Sequence, residues 1–294
     1  MNIKGLFLIS RPLNSFLSGF AVVIGAIAAV SAPLTSKQFL GIVVGYLATS
    51  LIAIGGYAIN DVFDIEIDKI NTPHRPLPAG LMTLEEAKAY AIILFIIGVI
   101  MPVVINIQAS IIACVGGVLL YLYAAYFKRS GFLGNVMIGL LTAIPFIFGA
   151  FLTESFETMI FPTLFAFLII VGREVIKDIE DVHGDQLKDV QSIALKYGVK
   201  SARNFGFLIL ILLIIVTPIP IILKYYKNPI FILIVLIIDL LILYSGYLLF
   251  NKTEEEIITN ATAAKKILKG CITLGILGFL LEGLMKLLSY SISY

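Results

Sequence analysis

Two short stretches of this chain carry residues whose types and spacing suit metal and phosphate chemistry. NDVFDIEID, from Asn60 to Asp68, places Asp61, Asp64 and Asp68; KDIEDVHGD, from Lys177 to Asp185, places Asp178, Asp181 and Asp185. Both sets have offsets i, i+3 and i+7, so on an α-helix the three carboxylates share one face. Like charges stacked this way repel unless something cationic neutralises them, and a divalent metal is the simplest candidate. Each set continues an apolar helix, and acids at a helix C-terminus oppose the macrodipole, so solvated helix ends are a poor account of them.

Bases lie around both sets: Arg75 in HRPLPAG, Lys128 and Arg129 in YFKRSGFLGN, and Arg173 and Lys177 at the second set. Carboxylates with bases at their rim describe a site for a polyanion held through bridging metals. Mg²⁺ fits best, because it takes a few carboxylates, keeps its waters and completes its shell with phosphate oxygens, which makes a diphosphate the expected ligand. His74 and His183 flank the sets without metal-ligand spacing to each other. Cys114 and Cys271 lie in apolar runs and read as packing residues; no disulfide framework or CxxC site can be drawn. Asp239 sits inside an apolar run, where it serves either a function or a protonated, hydrogen-bonded contact between helices.

The elements that hold these residues follow from composition. Of 294 residues, 60% are hydrophobic and only 14% charged, with no Trp and a mean hydropathy of +1.03. Too little polar surface remains to cover a water-soluble globule, which excludes disorder, a coiled coil and an ordinary cytosolic enzyme. The net charge of +2 averages over opposite local extremes and gives no reason to invoke nucleic acid. A spanning helix needs about 20 mostly apolar residues. Nine segments qualify: 12–30, 39–59, 89–105, 109–127, 133–152, 158–175, 205–223, 229–250 and 268–288.

The bases orient them. Of the 21 Lys and Arg, all but Lys37, Lys224, Lys227 and Lys286 fall at the N-terminus or after spans two, four, six and eight, which places that side and the N-terminus in the cytoplasm. Lys4 and Arg11 before an apolar stretch imitate a secretory signal, but eight further spans make the chain a membrane resident, and Asn14, Ser15 and Ser18 suit a helix facing a cavity.

A constant offset relates Asp61 to Asp178, Asp64 to Asp181 and Asp68 to Asp185, and a loop with Gly80 or Gly198 follows each set. This predicts an internal repeat of four helices about an axis along the membrane normal, bringing both acidic faces to one central cavity. The expected fold is therefore an all-α polytopic membrane protein. It has nine transmembrane helices around that cavity, as two four-helix repeats plus one helix, in a single domain over 1–294, with cytoplasmic motif loops at about 60–86 and 172–203.

These motifs, in this order, resemble the UbiA superfamily of intramembrane prenyltransferases, whose members have nine helices and two aspartate-rich motifs. The match runs over nearly the whole chain: NDVFDIEID, the Lys128–Arg129 pair and KDIEDVHGD. NTPHRPLPAG, Asn71 to Gly80, is similar to the branch that uses lipidic or bulky acceptors. GREVIKDIEDVHGD, Gly172 to Asp185, looks most like the archaeal digeranylgeranylglyceryl phosphate synthases. That branch moves a geranylgeranyl group from its diphosphate to the hydroxyl of geranylgeranylglyceryl phosphate, forming the second ether link of archaeal lipids. The chain departs from it at His183, where an acid is usual, at Lys188 and Asp189, where a Gly is usual nearby, and at Ile193 and Ala194, which replace Leu-Pro.

The resemblance implies an enzyme in which two Mg²⁺ ions, held by Asp61, Asp64, Asp68, Asp178, Asp181 and Asp185 with help from Asn60, bind the diphosphate. Arg75, Lys128, Arg129 and Lys177 would offset the charge of the departing diphosphate. Membrane burial would keep water from the allylic cation, and Tyr123, with Tyr121 and Tyr126, would line the prenyl channel. Arg11 and Asn14 would contact the acceptor's phosphate. Substrates and membrane lipids are the expected partners, with no nucleic acid and no obligate protein partner, in a multi-pass protein of the cell membrane whose active site faces the cytoplasm. An aromatic, quinone-precursor acceptor is the alternative. A cation transporter is the non-enzyme rival, although transporters place such acids near the bilayer midplane. The DGxxAR motif expected of a CDP-alcohol phosphotransferase is absent.

Overall fold

A computed structural model describes residues 2–30, 32–154, 156, 158–182 and 191–292. Among the described residues every regular element is a helix. The chain divides into two compact units. One comprises Met1–Ala26, Leu34–Tyr126 and Ile144–Ser155; the other comprises Ile27–Pro33, Phe127–Ala143 and Phe156–Tyr294.

In the first unit, α1 (Ile3–Ile9) turns into α2 (Pro12–Ala29) at Arg11, and α3 (Ser36–Phe63) is followed directly by α4 (Ile65–Asn71). Next come α5 (Leu84–Ile100), a 3₁₀ turn over Met101–Val104 and α6 (Ile107–Ala125). Capping boxes start α3, at Thr35 with Gln38, and α5, at Thr83 with Glu86. Small residues let α3 approach its neighbours closely: Gly55 backs onto the Ala91 carbonyl of α5, and Gly56 receives Leu120 of α6. The loop between α4 and α5 is tied down by its own apolar residues. Leu77 and Met82 are buried with Ile9, Ala58, Ile59, Val62, Ala87 and Ala91.

In the second unit, α7 (Phe132–Leu152), whose last residues belong to the first unit, follows a 3₁₀ turn over Phe127–Arg129. Then come α8 (Ile160–Glu180), the short α9 (Ile193–Tyr197), α10 (Val199–Val216), α11 (Ile219–Ile222), α12 (Pro229–Leu249) and α13 (Glu254–Ile292). Helix α8 packs on α10 and α13, and α12 packs on α13. Asp239 of α12 accepts a 2.9 Å bond from Thr217 at the end of α10, so its interhelical hydrogen-bonding role is the one seen.

Eight helices among the described residues are long and apolar enough to cross a membrane. Their outward faces agree: Ile92 and Ile96 on α5, Leu208 and Ile215 on α10, and Leu240 on α12 are each more than half exposed, a cost that water would exact and lipid would not. The expected sixth span, α8, is not among the eight, because Arg173, Glu174 and Lys177 interrupt its apolar run.

Other boundaries also differ from the sequence reading. The acidic stretches are helical over α3 and α4 and through the end of α8, as their i, i+3, i+7 spacing predicts, so the motif loops expected at about 60–86 and 172–203 begin inside helices. Lys265, Lys266 and Lys269, expected in the loop before the last span, lie within α13, whose 39 residues run about 58 Å. Glu282 and Lys286 fit inside that helix because each has a partner. The buried Glu282 carboxylate accepts the backbone N–H groups of Lys227 and Asn228, both at 3.2 Å, and Lys286 lies over the Tyr226 ring.

Candidate active site

The middle aspartate of each set caps its helix. Asp64 ends α3 with φ −94° and ψ 2°, and Asp181 ends α8 with φ −82° and ψ −1°. Their amides return to the residues four positions earlier, Asp64 to the Asn60 carbonyl at 3.0 Å and Asp181 to that of Lys177 at 3.1 Å. The loops that follow turn through Gly80 at φ +68° and Gly198 at φ +88°, backbone that glycine adopts without a Cβ penalty. The same local design thus recurs at the repeat positions read from the sequence.

In the first unit Asp61, Asp64 and Asp68 are all buried. Burying three carboxylates is costly without compensation, and here the compensation is specific. Asp61 Oδ1 accepts Arg11 Nη2 at 2.5 Å and Arg75 Nη1 at 3.4 Å. Asp68 Oδ2 accepts Arg75 Nη1 at 2.6 Å, and its Oδ1 accepts the Thr72 hydroxyl at 2.9 Å. Asp64 accepts the Asn60 amide at 3.0 Å.

Both guanidinium groups are delivered by local structure. Arg75 lies in the anchored loop, its N–H bonded to the Thr72 carbonyl and its own carbonyl to the Ala79 N–H. Arg11 stands at the corner between two helices with φ +42°, just before Pro12, and lies over the Tyr57 ring, 5.0 Å from its centroid. The structure therefore brings Asn60, Asp61, Asp64, Asp68, Arg75 and Arg11 together. Asn14 is exposed on α2, and among the described residues no side-chain bond joins it to this group.

In the second unit Asp178 accepts the amide of Asn135, a buried residue near the start of α7, at 2.7 Å. No acidic or basic motif marks Asn135 in the sequence; its one signal is its place in GFLGN, just after the Lys128–Arg129 pair. Glu174, likewise unmarked, lies one turn before Asp178 and accepts both Arg173 and Lys177, the latter at 3.0 Å. Burial alone would lower the Lys177 pKa, but Glu174, with Asp181 and Asp178 nearby, outweighs it and holds the ammonium above the usual lysine range. Lys128 and Arg129 are exposed on their 3₁₀ turn, and Gln191 N–H reaches back to the Arg129 carbonyl at 3.3 Å. Tyr123 is half-buried on α6, whereas Tyr121 and Tyr126 are exposed. Asp185 and His183 lie outside the described residues, as do Lys188 and Asp189.

Among the described residues no three His, Cys, Asp or Glu side chains converge to form a closed metal cage. The donor chemistry nevertheless fits Mg²⁺, a hard cation that takes one or two carboxylates and completes its shell with water and substrate phosphate. Buried Asp64 beside Asn60, and Asp178 beside Asn135, are oxygen donors of that kind. Each set taken by itself pairs carboxylates, which suit a metal, with basic groups, which suit phosphate oxygens.

Comparison with known proteins agrees. Residues 18–267 match the model of the UbiA prenyltransferase family. The chain is 37% identical over 270 residues to the digeranylgeranylglyceryl phosphate synthase of Saccharolobus solfataricus, covering 90% of this chain and 93% of that one. It is 36% identical over 289 residues to the enzyme of the same name from Thermococcus kodakarensis, covering 97% and 100%. A solved structure of a digeranylgeranylglyceryl phosphate synthase superposes with a TM-score of 0.83 at 33% identity, over 96% of this chain and 98% of that one. A UbiA homologue from Archaeoglobus fulgidus, solved with GPP and Mg²⁺ bound, shares the fold with a TM-score of 0.69 at 16% identity, over 94% and 99%. With the motifs in order, the helices apolar and the match running through both acidic sets, this chain belongs to the UbiA prenyltransferase family and is a multi-pass membrane enzyme.

Proposed function

We propose that the chain moves a geranylgeranyl group from geranylgeranyl diphosphate to the free hydroxyl of geranylgeranylglyceryl phosphate, forming the second ether bond of archaeal membrane lipids. The observation that carries the reading is the convergence of Arg11 and Arg75 on buried Asp61 and Asp68, beside Asp64 and Asn60. Carboxylates that hold two guanidinium groups in place leave their remaining N–H donors fixed for an anionic ligand. Relatives more than 35% identical over nearly their whole length support the choice of acceptor.

The carboxylates Asp61, Asp64, Asp68, Asp178, Asp181 and Asp185, with Asn60, would divide between them the tasks of holding Mg²⁺ and of holding the bases in place. Mg²⁺, when bound, supplies charge compensation for the diphosphate as the allylic C–O bond breaks. Arg75, Lys128, Arg129 and Lys177 bind the departing diphosphate, and their fixed charge favours ionisation over return. Arg11 and Asn14 serve the acceptor's phosphate, and Tyr123 lines the prenyl path. Lipid surroundings keep water from the allylic carbon, so the acceptor hydroxyl is the nucleophile within reach. The excess of bases on one side supports a cytoplasmic N-terminus and active site.

The test is acceptor choice. The reconstituted chain is given labelled geranylgeranyl diphosphate and equal amounts of geranylgeranylglyceryl phosphate and 4-hydroxybenzoate. Ether product from the glyceryl phosphate is expected; product from the aromatic acid alone would move the chain to quinone-precursor chemistry.

A further inference from the structure

The three carboxylates of the first set are not equivalent. Asp68 has both oxygens engaged, Oδ2 by Arg75 at 2.6 Å and Oδ1 by the Thr72 hydroxyl at 2.9 Å. These donors do not depend on chance rotamers. Thr72 N–H bonds to the Asp68 carbonyl at 2.9 Å, Arg75 N–H to the Thr72 carbonyl at 2.9 Å and Ala79 N–H to the Arg75 carbonyl at 2.9 Å. Leu77 and Met82 bury the loop beyond against α1, α3 and α5. Asp68, Thr72 and Arg75 thus form one built unit on eight residues of chain and the anchored loop that follows.

From this geometry we infer that Asp68 is a positioning residue for the Arg75 guanidinium and not a ligand of the metal. A divalent ion on either Asp68 oxygen would have to displace one of these donors, or sit beside a guanidinium of like charge in a buried place. Arg75 offers five N–H donors in a fixed fork, and Asp68 and Asp61 use only part of it, leaving the rest for a phosphate oxygen. Asp68 therefore acts on the substrate through Arg75: it fixes the fork and offsets its charge until phosphate arrives. The metal role within the set then falls to the other carboxylates, among them Asp64, which accepts the Asn60 amide at 3.0 Å. This inference rests on the reading of the acidic sets given under Proposed function.

The experiment uses the full chain in lipid nanodiscs, with Mn²⁺ as the metal probe, saturating geranylgeranyl diphosphate and no acceptor. Mn²⁺ affinity is read by electron paramagnetic resonance, and KM and kcat for the donor are measured separately. Asp64→Asn is expected to weaken Mn²⁺ binding at least about tenfold, whereas Asp68→Asn stays within about threefold of the parent and raises the donor KM about tenfold. Asp68→Asn combined with Arg75→Gln is expected to be no worse than Arg75→Gln alone by more than about twofold, because both remove one function. Should Asp68→Asn fail to fold, Thr72→Val removes one of the two anchors and is expected to show the same pattern, KM raised with Mn²⁺ affinity kept.

Loss of Mn²⁺ in Asp68→Asn as large as in Asp64→Asn would overturn the assignment and leave the prenyltransferase reading standing. So would multiplicative losses in the double variant. Failure of the parent chain to bind Mn²⁺ under these conditions would instead bring down the metal reading and this assignment together.

Discussion

Asn135 and Asp178 are 43 positions apart in sequence and 2.7 Å apart in the fold. An amide that donates to one oxygen of a metal-binding carboxylate fixes its orientation, and loss of such a partner typically costs 10–100-fold in metal affinity or activity. Asn135→Ala is therefore expected to lower transfer by about that factor and to shift the Mg²⁺ concentration needed for half-maximal rate upward; a Mg²⁺ titration of the purified variant checks it. At this scale the acidic residues were legible because i, i+3, i+7 spacing is a local property of a helix. Their partners were not. Arg11 was assigned from sequence to the acceptor's phosphate, and in the structure it meets Asp61, 50 positions away, a pairing that no local pattern encodes. Glu174 is illegible in sequence for a different reason, since its part lies in the two bases it joins rather than in its own spacing.

Helices and turns were legible in proportion to how local their causes are. The apolar runs gave the spans, but their ends moved wherever capping or a tertiary contact extended them. Helix α13 starts at Glu254, well before its apolar part, because Ile257, Ala261, Ala264 and Leu268 bury one face while Glu180 of α8 pairs with Lys265 and Thr262 on it.

Two elements allow sharp tests. Gly131 turns the chain from the Lys128–Arg129 pair into α7 at φ +63°, and a Cβ there would lie 1.7 Å from the Gln191 carbonyl oxygen. Gly131→Ala combines the left-handed backbone penalty of about 1–2 kcal/mol with that clash, and is expected to lower the thermal midpoint and the transfer rate together. Glu282→Ala would leave the N–H groups of Lys227 and Asn228 without their acceptor, at about 1–3 kcal/mol, and is expected to lower thermal stability while leaving the Mg²⁺ dependence of the rate unchanged.

For the whole molecule the sequence supplied the class and most of the architecture. Composition alone required a membrane, and eight helices are long and apolar enough to cross it. Helix α8 is the exception: the charges that interrupt its apolar run, Arg173, Glu174, Lys177 and Asp178, lie in the second acidic motif or one turn before it. Sidedness is tested directly. Lys37→Cys is expected to react with a membrane-impermeant maleimide added outside intact cells, and Lys252→Cys only after the membrane is opened. The opposite pattern would invert the topology and with it the cytoplasmic placement of the motifs.

The central claim is that the duplicated aspartates run metal-dependent prenyl transfer, and its most direct test is a single assay on the reconstituted chain. Labelled geranylgeranyl diphosphate and geranylgeranylglyceryl phosphate are supplied with and without Mg²⁺, using the parent chain and the Asp64→Ala and Asp181→Ala variants. Ether product is expected only with Mg²⁺, with a loss of at least about a hundredfold in each variant, as when a group acting on the leaving diphosphate is removed. Transfer that persists without Mg²⁺, or in either variant at the parent rate, would contradict it.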